Sequence, residues 1–406
     1  MLTPTHLSNV RHRTAFAAGL AAAVLALALG VTAAFTLNAP NAGAGADREA
    51  GVGRVAHVGR VSTLKPASNL GSAVGASALG LPGSYYLPPA LADASRPGLI
   101  DRTGWDEPDP FVFVQDGSDY LFTSQSNQPQ NVPVRSGAAY GQWGAQSDAL
   151  PDPPAWSTPG IFWAPDVAQF GSHYILYFSS QLSSASQHTM CIGDAISTTP
   201  AGPYIASPAP FICQLTLGGS IDPRVFEDTN GQAYMVWKSD QNSRSASYDT
   251  QIWSQRLSVD GMHLAGSPTE IFAPDEPWQG SIVEAPQIEL VKGTYYLFYS
   301  GNQYNTPGYA IGVAQCAGPL GPCDDTTGAP LLGSNLQGWG PGEESLFTNN
   351  AGVWMVYSPW FANTSSAGPT RPVALAHLGF GPDGPYLAAP LETGAATTAT
   401  AAARAP

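Results

Sequence analysis

A strand opened by a carboxylate or an aromatic, a tight turn at glycine and a second strand dense in aromatics recur five times in this chain. No other feature constrains the fold as much. The fullest copy is SIDPRVFEDTNGQAYMVW, Ser220 to Trp237. DPFVFVQDGSDYLF opens at Asp109 and turns at Gly117, and WAPDVAQFGSHYILYFSS opens at Trp163 and turns at Gly171. EAPQIELVKGTYYLFYS opens at Glu284 and turns at Gly293, and the looser EESLFTNNAGVWMVYS opens at Glu343 and turns at Gly352. Each reads as a β-hairpin. With Asp222 counted as the opening of the fullest copy, the openings lie roughly 54 to 62 residues apart, a little longer than propeller blades usually run.

A hairpin cannot bury its apolar face alone, so like units must pack on one another, and radial closure protects their edges. The sequence therefore predicts an all-β, five-bladed β-propeller with four-stranded antiparallel blades. The innermost strands would bring Asp109, Trp163, Asp222, Glu284 and Glu343 toward one axial cavity, so that four carboxylates share a pocket. At 406 residues the chain is long enough for one large β domain or two smaller ones, and the single five-fold repeat decides for one. Gly 44 and Pro 37, with only 11% charged residues, suit many short strands joined by turns.

The formal net charge of -14 opposes binding to a phosphate backbone, so nucleic acid is not an expected partner and a neutral ligand fits better. Arg11, His12 and Arg13 precede an apolar run from Ala15 to Phe35, long enough at about 20 residues to span a bilayer. The chain is expected to be exported, with residues 1–36 either a cleaved signal peptide or a retained anchor, and with membrane contact only through that segment. Residues 37–91, rich in Ala, Gly, Ser and Pro, read as a linker, 92–392 as the propeller and 393–406 as a low-complexity tail. GVGRVA, Gly51 to Ala56, has the spacing of a dinucleotide fingerprint but no strand leads into it, and it is read as chance.

Four cysteines in an exported chain favour disulfides, and pairing along the chain gives Cys191 with Cys213 and Cys316 with Cys323 as the first of three connectivities. No CxxC, HExxH or GxSxG spacing occurs, which leaves zinc and serine-nucleophile chemistry little support.

Hydrolysis of a glycosidic bond needs one carboxyl kept protonated for the leaving oxygen and another kept ionised, and a third negative charge nearby helps to hold the proton on the acid. Asp109, Asp222 and Glu284 can supply all three. The same residue type recurring at one place in successive repeats is not explained by turn capping alone. Asp166, three places past Trp163, reads instead as a strand-end hydrogen-bonding group.

The strings DPFVF, WAPDV, SIDPRVFED, SIVEAPQI, YYLFYSG and GPGEES, in this order, resemble glycoside hydrolase family 43, which includes arabinanases, β-xylosidases and related furanosidases. The likeness runs roughly from Asp106 to Tyr386. It implies Asp109 as general base, Asp222 as the residue that tunes and orients the acid, Glu284 as general acid, and a single displacement with inversion. An inverting pair leaves room for a water, about 6.5 to 9.5 Å between carboxyl groups.

Trp163 is a candidate to stack on a sugar ring, Phe111 and Trp278 to wall the pocket, and Arg371 in GPTRPVAL sits where the resemblance puts a substrate-contacting arginine. Where the family commonly carries GPGH, with the histidine facing a metal ion or its waters in the central channel, this chain has Glu343, a hard oxygen ligand suited to a structural Ca²⁺. No cofactor is expected for the chemistry itself.

The expected function is hydrolysis of a neutral oligo- or polysaccharide, α-L-arabinofuranosyl linkages first and β-xylosyl second. The alternative from another class is a non-catalytic carbohydrate-binding propeller at the cell surface. A fructan-active propeller would carry NDPN and RDP motifs where this chain has EPDPF and IDPR.

Overall fold

The computed structural model describes residues 106–137, 143–185, 187–335, 338–349, 352–361 and 369–388. The N-terminal apolar run, the 37–91 linker with its glycine fingerprint, and the 393–406 tail lie outside these residues. Among the described residues no helix is long and apolar enough to cross a membrane.

Five antiparallel sheets of four strands each follow one another along the chain. Blade 1 holds β1 (Phe111–Gln115), β2 (Ser118–Phe122), β3 (Pro133–Gly137) and β4 (Ser147–Asp148). Blade 2 holds β5 (Ser157–Phe170), β6 (His173–Leu182), β7 (Met190–Ser197) and β8 (Ile205–Ala206). Blade 3 holds β9 (Ser220–Glu227), β10 (Ala233–Ser239), β11 (Ile252–Leu257) and β12 (Leu264–Phe272). Blade 4 holds β13 (Val283–Val291), β14 (Thr294–Gly301), β15 (Ala310–Cys316) and β16 (Cys323–Asp324). Blade 5 holds β17 (Trp339–Asn349), β18 (Gly352–Trp360), β19 (Ala374–Gly381) and β20 (Gly384–Ala388).

The second strand of each blade carries an apolar run because both its faces are covered, one by each neighbouring blade. Side chains alternate across a strand, so Leu176 and Phe178 of β6 pack toward blade 1 while Ile175 and Tyr177 pack toward blade 3. Likewise Leu297 and Tyr299 of β14 join the core with blade 3, and Tyr296 and Phe298 join the core with blade 5. A fifth core, with Val112 and Leu121 against Phe347, Val356 and Leu375, closes blade 5 onto blade 1. The disulfides Cys191–Cys213 and Cys316–Cys323 form as the sequence pairing predicts, each within one blade.

The start of every inner strand is kinked in the same way. In blade 2 Trp163 faces Ser179 and Asp166 faces Tyr177, which leaves Ala164 and Pro165 opposite Phe178 alone. The same two-against-one bulge occurs at Asp222-Pro223, Ala285-Pro286 and Glu343-Glu344. Its first residue is left-handed in every blade: Asp109 (φ 55), Ala164 (φ 45), Asp222 (φ 54), Ala285 (φ 50) and Glu343 (φ 54). Such a conformation costs a non-glycine residue about 1–3 kcal/mol and persists only where its surroundings hold it.

What holds it is a serine of the preceding blade. Ser124 Oγ accepts from the Ala164 N–H at 2.7 Å, Ser179 Oγ from Asp222 N–H at 3.0 Å and Ser300 Oγ from Glu343 N–H at 2.9 Å. Ser179 and Ser300 lie on the second strands of their blades, next to the bulge, and Ser124 lies two residues past the end of β2. Ser358, in the same place in blade 5, donates to the Glu107 carbonyl at 3.2 Å. Blade 3 departs from this pattern, and the departure falls in the candidate site.

The left-handed residue also corrects the sequence alignment. Asp109, Asp222 and Glu343 occupy equivalent positions, but their counterparts in blades 2 and 4 are Ala164 and Ala285, so Trp163 and Glu284 stand one residue earlier. The strings align on their most chemically conspicuous residue, whereas the backbone aligns on the bulge.

Candidate active site

The bulges gather Asp109, Asp222, Glu284 and Glu343 into one buried cluster. Carboxylate oxygens of Asp222, Glu284 and Glu343 lie within 4.8 Å of one another, a group that does not include Asp109. Three carboxylates that close cannot all stay ionised out of water. Burial first, then the charge of Glu284, pushes Asp222 up to about 7, against the opposing pull of Lys238. Burial and the charges of Asp222, Asp109 and Glu284 push Glu343 well above the ordinary carboxylate range.

Each of the two carboxylates predicted for the chemistry has its own cation. Arg371 Nη2 lies 3.2 Å from Asp109 Oδ1, and Ser124 Oγ donates to Asp109 Oδ2. Lys238 Nζ lies 2.9 Å from Glu284 Oε2 and 3.7 Å from Asp240 Oδ1. The other oxygen of Glu284, Oε1, accepts from Tyr309 O–H at 2.7 Å, and the same phenol lies 3.0 Å from Glu343 Oε1. A phenol has one proton, so Tyr309 donates to one carboxylate and accepts from the other when that one is protonated. Glu343, pushed up by burial, is able to donate to Tyr309, which leaves the phenol proton for Glu284. Gly342 makes this possible, because a Cβ there would come within 2.0 Å of the Tyr309 ring.

Asp222 is held at both ends of its residue, its N–H by Ser179 and its Oδ2 by the Ala285 N–H at 3.1 Å. It therefore touches the backbone immediately after Glu284. Two buried carboxylates with separate cations, Asp109 with Arg371 and Glu284 with Lys238, and a third carboxylate fixed against the strand of Glu284 make up a constellation able to do acid and base work at one centre.

Residues 104–386 match the family model described as glycosyl hydrolases family 43. The chain belongs to this family.

Among curated relatives, the β-D-galactofuranosidase xynD of Aspergillus niger (strain ATCC MYA-4892 / CBS 513.88 / FGSC A1513) is 25% identical over 225 residues, covering 52% of this chain and 60% of the relative. The extracellular endo-α-(1→5)-L-arabinanase 1 of Bacillus subtilis (strain 168) is 24% identical over 269 residues, 61% of this chain and 79% of the relative. The match therefore spans less than two thirds of the first relative and about four fifths of the second. Of solved structures, a thermostable family-43 glycoside hydrolase superposes with a TM-score of 0.62 at 27% identity over 70% of this chain and 93% of the other. A Cellvibrio cellulosa α-L-arabinanase complexed with arabinohexaose shares the fold with a TM-score of 0.56 at 21% identity, over 70% of this chain and 96% of the other.

For this family 43 chain, the structure sorts the remaining residues singled out in the sequence. Trp163 stands beside the bulge of blade 2, partly exposed, with its ring 6.2 Å from His188. Arg371 reaches the site because ring closure brings it there: its N–H donates to Asp106 Oδ1 at 2.6 Å, and its carbonyl accepts from Glu107 N–H at 3.0 Å.

Phe111 and Trp278 do not wall the pocket. Phe111 follows the bulge by one step and drops a layer below it, where its ring lies 4.9 Å beneath the Arg224 guanidinium. Trp278 stacks on Tyr299, with centroids 5.8 Å apart, in the core between blades 3 and 4, a fit that requires Gly301, whose Cβ would lie 2.6 Å from the indole. Asp166 is structural as expected: it accepts from the Val225 N–H at 3.2 Å and pairs with Arg224 at 3.5 Å, while burial raises it to about 6.

The axial position expected for Glu343 is also corrected. A cavity of about 260 Å³ runs among all five inner strands, lined by Phe111, Asp166, Arg224, Gln287 and Leu346 among others, and Glu343 is not in its wall. This cavity already carries a fixed cation, Arg224. Calcium takes six to eight oxygens, and among the described residues the one three-carboxylate group that offers them contains Asp222 and Glu284. Both oxygens of Glu284 are already bonded, Oε2 by Lys238 and Oε1 by Tyr309, and the Lys238 ammonium would repel a divalent ion placed on it. The donor set does not fit a resident metal.

Sequence reasoning missed Lys238 and Tyr309. Lys238 had a legible signal, since it stands where Ser179, Ser300 and Ser358 stand in three other blades and is one of only three lysines in the chain. Tyr309 sits outside the repeated strings and had none.

Proposed function

We propose that this chain is an exported glycoside hydrolase that cleaves glycosidic bonds of a neutral glycan by single displacement with inversion, α-L-arabinofuranosyl linkages first and β-xylosyl second. The observation that carries the reading is the separate pairing of Asp109 with Arg371 and of Glu284 with Lys238 in one buried pocket. Asp109 at the left-handed position of blade 1 and Glu284 one residue before that of blade 4 have unlike surroundings, as an acid and a base require. Export is supported by two relatives named as extracellular enzymes.

In this mechanism Asp109, ionised and fixed by Arg371 and Ser124, takes a proton from the attacking water. Glu284 receives a proton from Tyr309, which is reprotonated by Glu343, and gives it to the departing oxygen. Asp222, pushed up to about 7, and Glu343, pushed up by burial, keep the cluster partly protonated at neutral pH, and Tyr309 connects that store of protons to Glu284. The lysine beside Glu284 stabilises the carboxylate left after proton transfer. All of these groups belong to the protein, so the proposed chemistry calls on no cofactor.

The test compares leaving groups. Glu284→Gln should cripple hydrolysis of natural linkages and spare activated aryl glycosides, whose departure needs little protonation. Asp109→Asn should depress both by about 10²- to 10⁴-fold. Proton NMR of the first-formed product gives its configuration, and retention, or equal losses for both substrate types in both variants, would overturn the assignment.

A further inference from the structure

Beyond Arg371, three aromatic rings on blades 4 and 5 form a ladder that the reaction just described does not use. Trp339 opens β17 and Trp360 ends β18, and the strand register places them opposite each other. Their rings stack with centroids 5.3 Å apart and planes 10° from parallel. Tyr304, in the loop between β14 and β15, continues the ladder at 6.3 Å and 30° from Trp360, and its carbonyl accepts from Trp360 Nε1–H at 2.7 Å.

The ladder joins the pocket through one residue. The Arg371 guanidinium carbon lies 5.5 Å from the ring centres of both Tyr304 and Trp360, while its Nη2 holds Asp109. The rings therefore begin where the base ends.

Core packing does not account for this group. Tyr304 is 50% exposed, and both tryptophans are partly exposed. An exposed phenol on a loop covers little, and holding Arg371 would not require a third ring stacked behind Trp360. Aligned, partly exposed aromatic rings offer apolar area with fixed orientation at little entropic cost. The C–H face of a sugar ring is a complementary surface, and continuity with Asp109 sets where the chain must run.

We propose that Tyr304, Trp360 and Trp339 form a binding platform for the glycosyl units adjoining the one cleaved, so that the site prefers a neutral oligosaccharide chain to a single sugar. The inference rests on the glycosidase reading above and extends it to substrate length. Stacking of this kind contributes about two- to tenfold in affinity.

The experiment titrates the full chain carrying Glu284→Gln, which prevents turnover, with arabino- and xylo-oligosaccharides from one to six units, followed by calorimetry. Affinity should rise with length, and adding Tyr304→Ala should remove about two- to tenfold of that rise, while Tyr304→Phe should restore it. An equal loss at every length would show that the ring only holds Arg371 and would overturn the platform. Unchanged length dependence, or no binding of any oligosaccharide, would overturn it as well. Hydrolysis by the unmutated chain is measured in parallel: ring-dependent binding without hydrolysis would leave the platform standing and sink the enzyme, and hydrolysis without ring dependence would do the reverse.

Discussion

Blades 3 and 4 share strand order, bulge and left-handed residue, but differ at the residue of the second strand that lies beside the bulge. In blade 4 it is Ser300, whose hydroxyl accepts from Glu343 N–H and donates to Glu344 Oε2 at 2.7 Å, so it fastens blade 5 in place. In blade 3 it is Lys238. The ammonium goes to Glu284, and the backbone N–H a serine would have taken, that of Ala285, is taken by Asp222. One carboxylate has replaced the structural staple, which frees a position facing Glu284 for a cation. A repeat can carry chemistry at a point where one unit substitutes the work of another.

Lys238→Ser restores the repeat and breaks the comparison most severely. Removing one partner of a buried ion pair costs about 3–5 kcal/mol, so a large fall in melting temperature is expected, measured by calorimetry. With the ammonium gone the positive charge beside Glu284 is lost, and the alkaline limb of the pH–rate profile should move to higher pH. An unmoved limb would mean that Lys238 is only a different staple.

Ser300→Ala probes the other side. It strands the Glu343 N–H and one Glu344 oxygen, an expected loss of about 1–3 kcal/mol in denaturant unfolding, with the pH–rate profile unmoved. A displaced profile would show that the staple serves chemistry as well.

Glu343→Gln sharpens the reading of the shared protons. Asp222 and Glu343 keep their protons in the folded state above the pH at which the unfolded chain releases them. The folded state then binds more protons, and stability falls as pH rises from about 4 toward 7 and beyond. Taking Glu343 out of the set should flatten that slope in melting curves across the window, and an unchanged slope would refute the coupling. The smallest effect expected is from chelation: melting temperature and activity should hold in chelator, and a fall reversed by Ca²⁺ would reinstate the cation at Glu343.

Much was legible in the strings themselves. Alternating apolar residues, turn glycines such as Gly117 and Gly293, and an acidic residue at or next to the opening of four of the five copies determined five hairpins and a shared acidic pocket, because those signals act over a few neighbouring residues. Both disulfides followed from pairing along the chain. The strings did not reveal which residue of each opening is left-handed, since Trp-Ala-Pro and Asp-Pro read alike until a partner strand counts them off.

Phe111 and Trp278 looked like pocket walls by nearness in sequence to Asp109 and Glu284, but a bulge turns a one-residue step into a change of layer, and Gly301 admits the indole to the core instead. Arg371 meets Asp109 only because the ring closes, 262 positions along the chain, through Asp106 and Glu107. Tyr309 reaches two carboxylates only because Gly342, on a different blade, has no side chain. The sequence alone determined which groups are acidic, apolar or able to turn, since these are properties of a residue and its neighbours. Tertiary structure alone decided which acid meets which cation, because that depends on how blades pack across spans no local pattern covers.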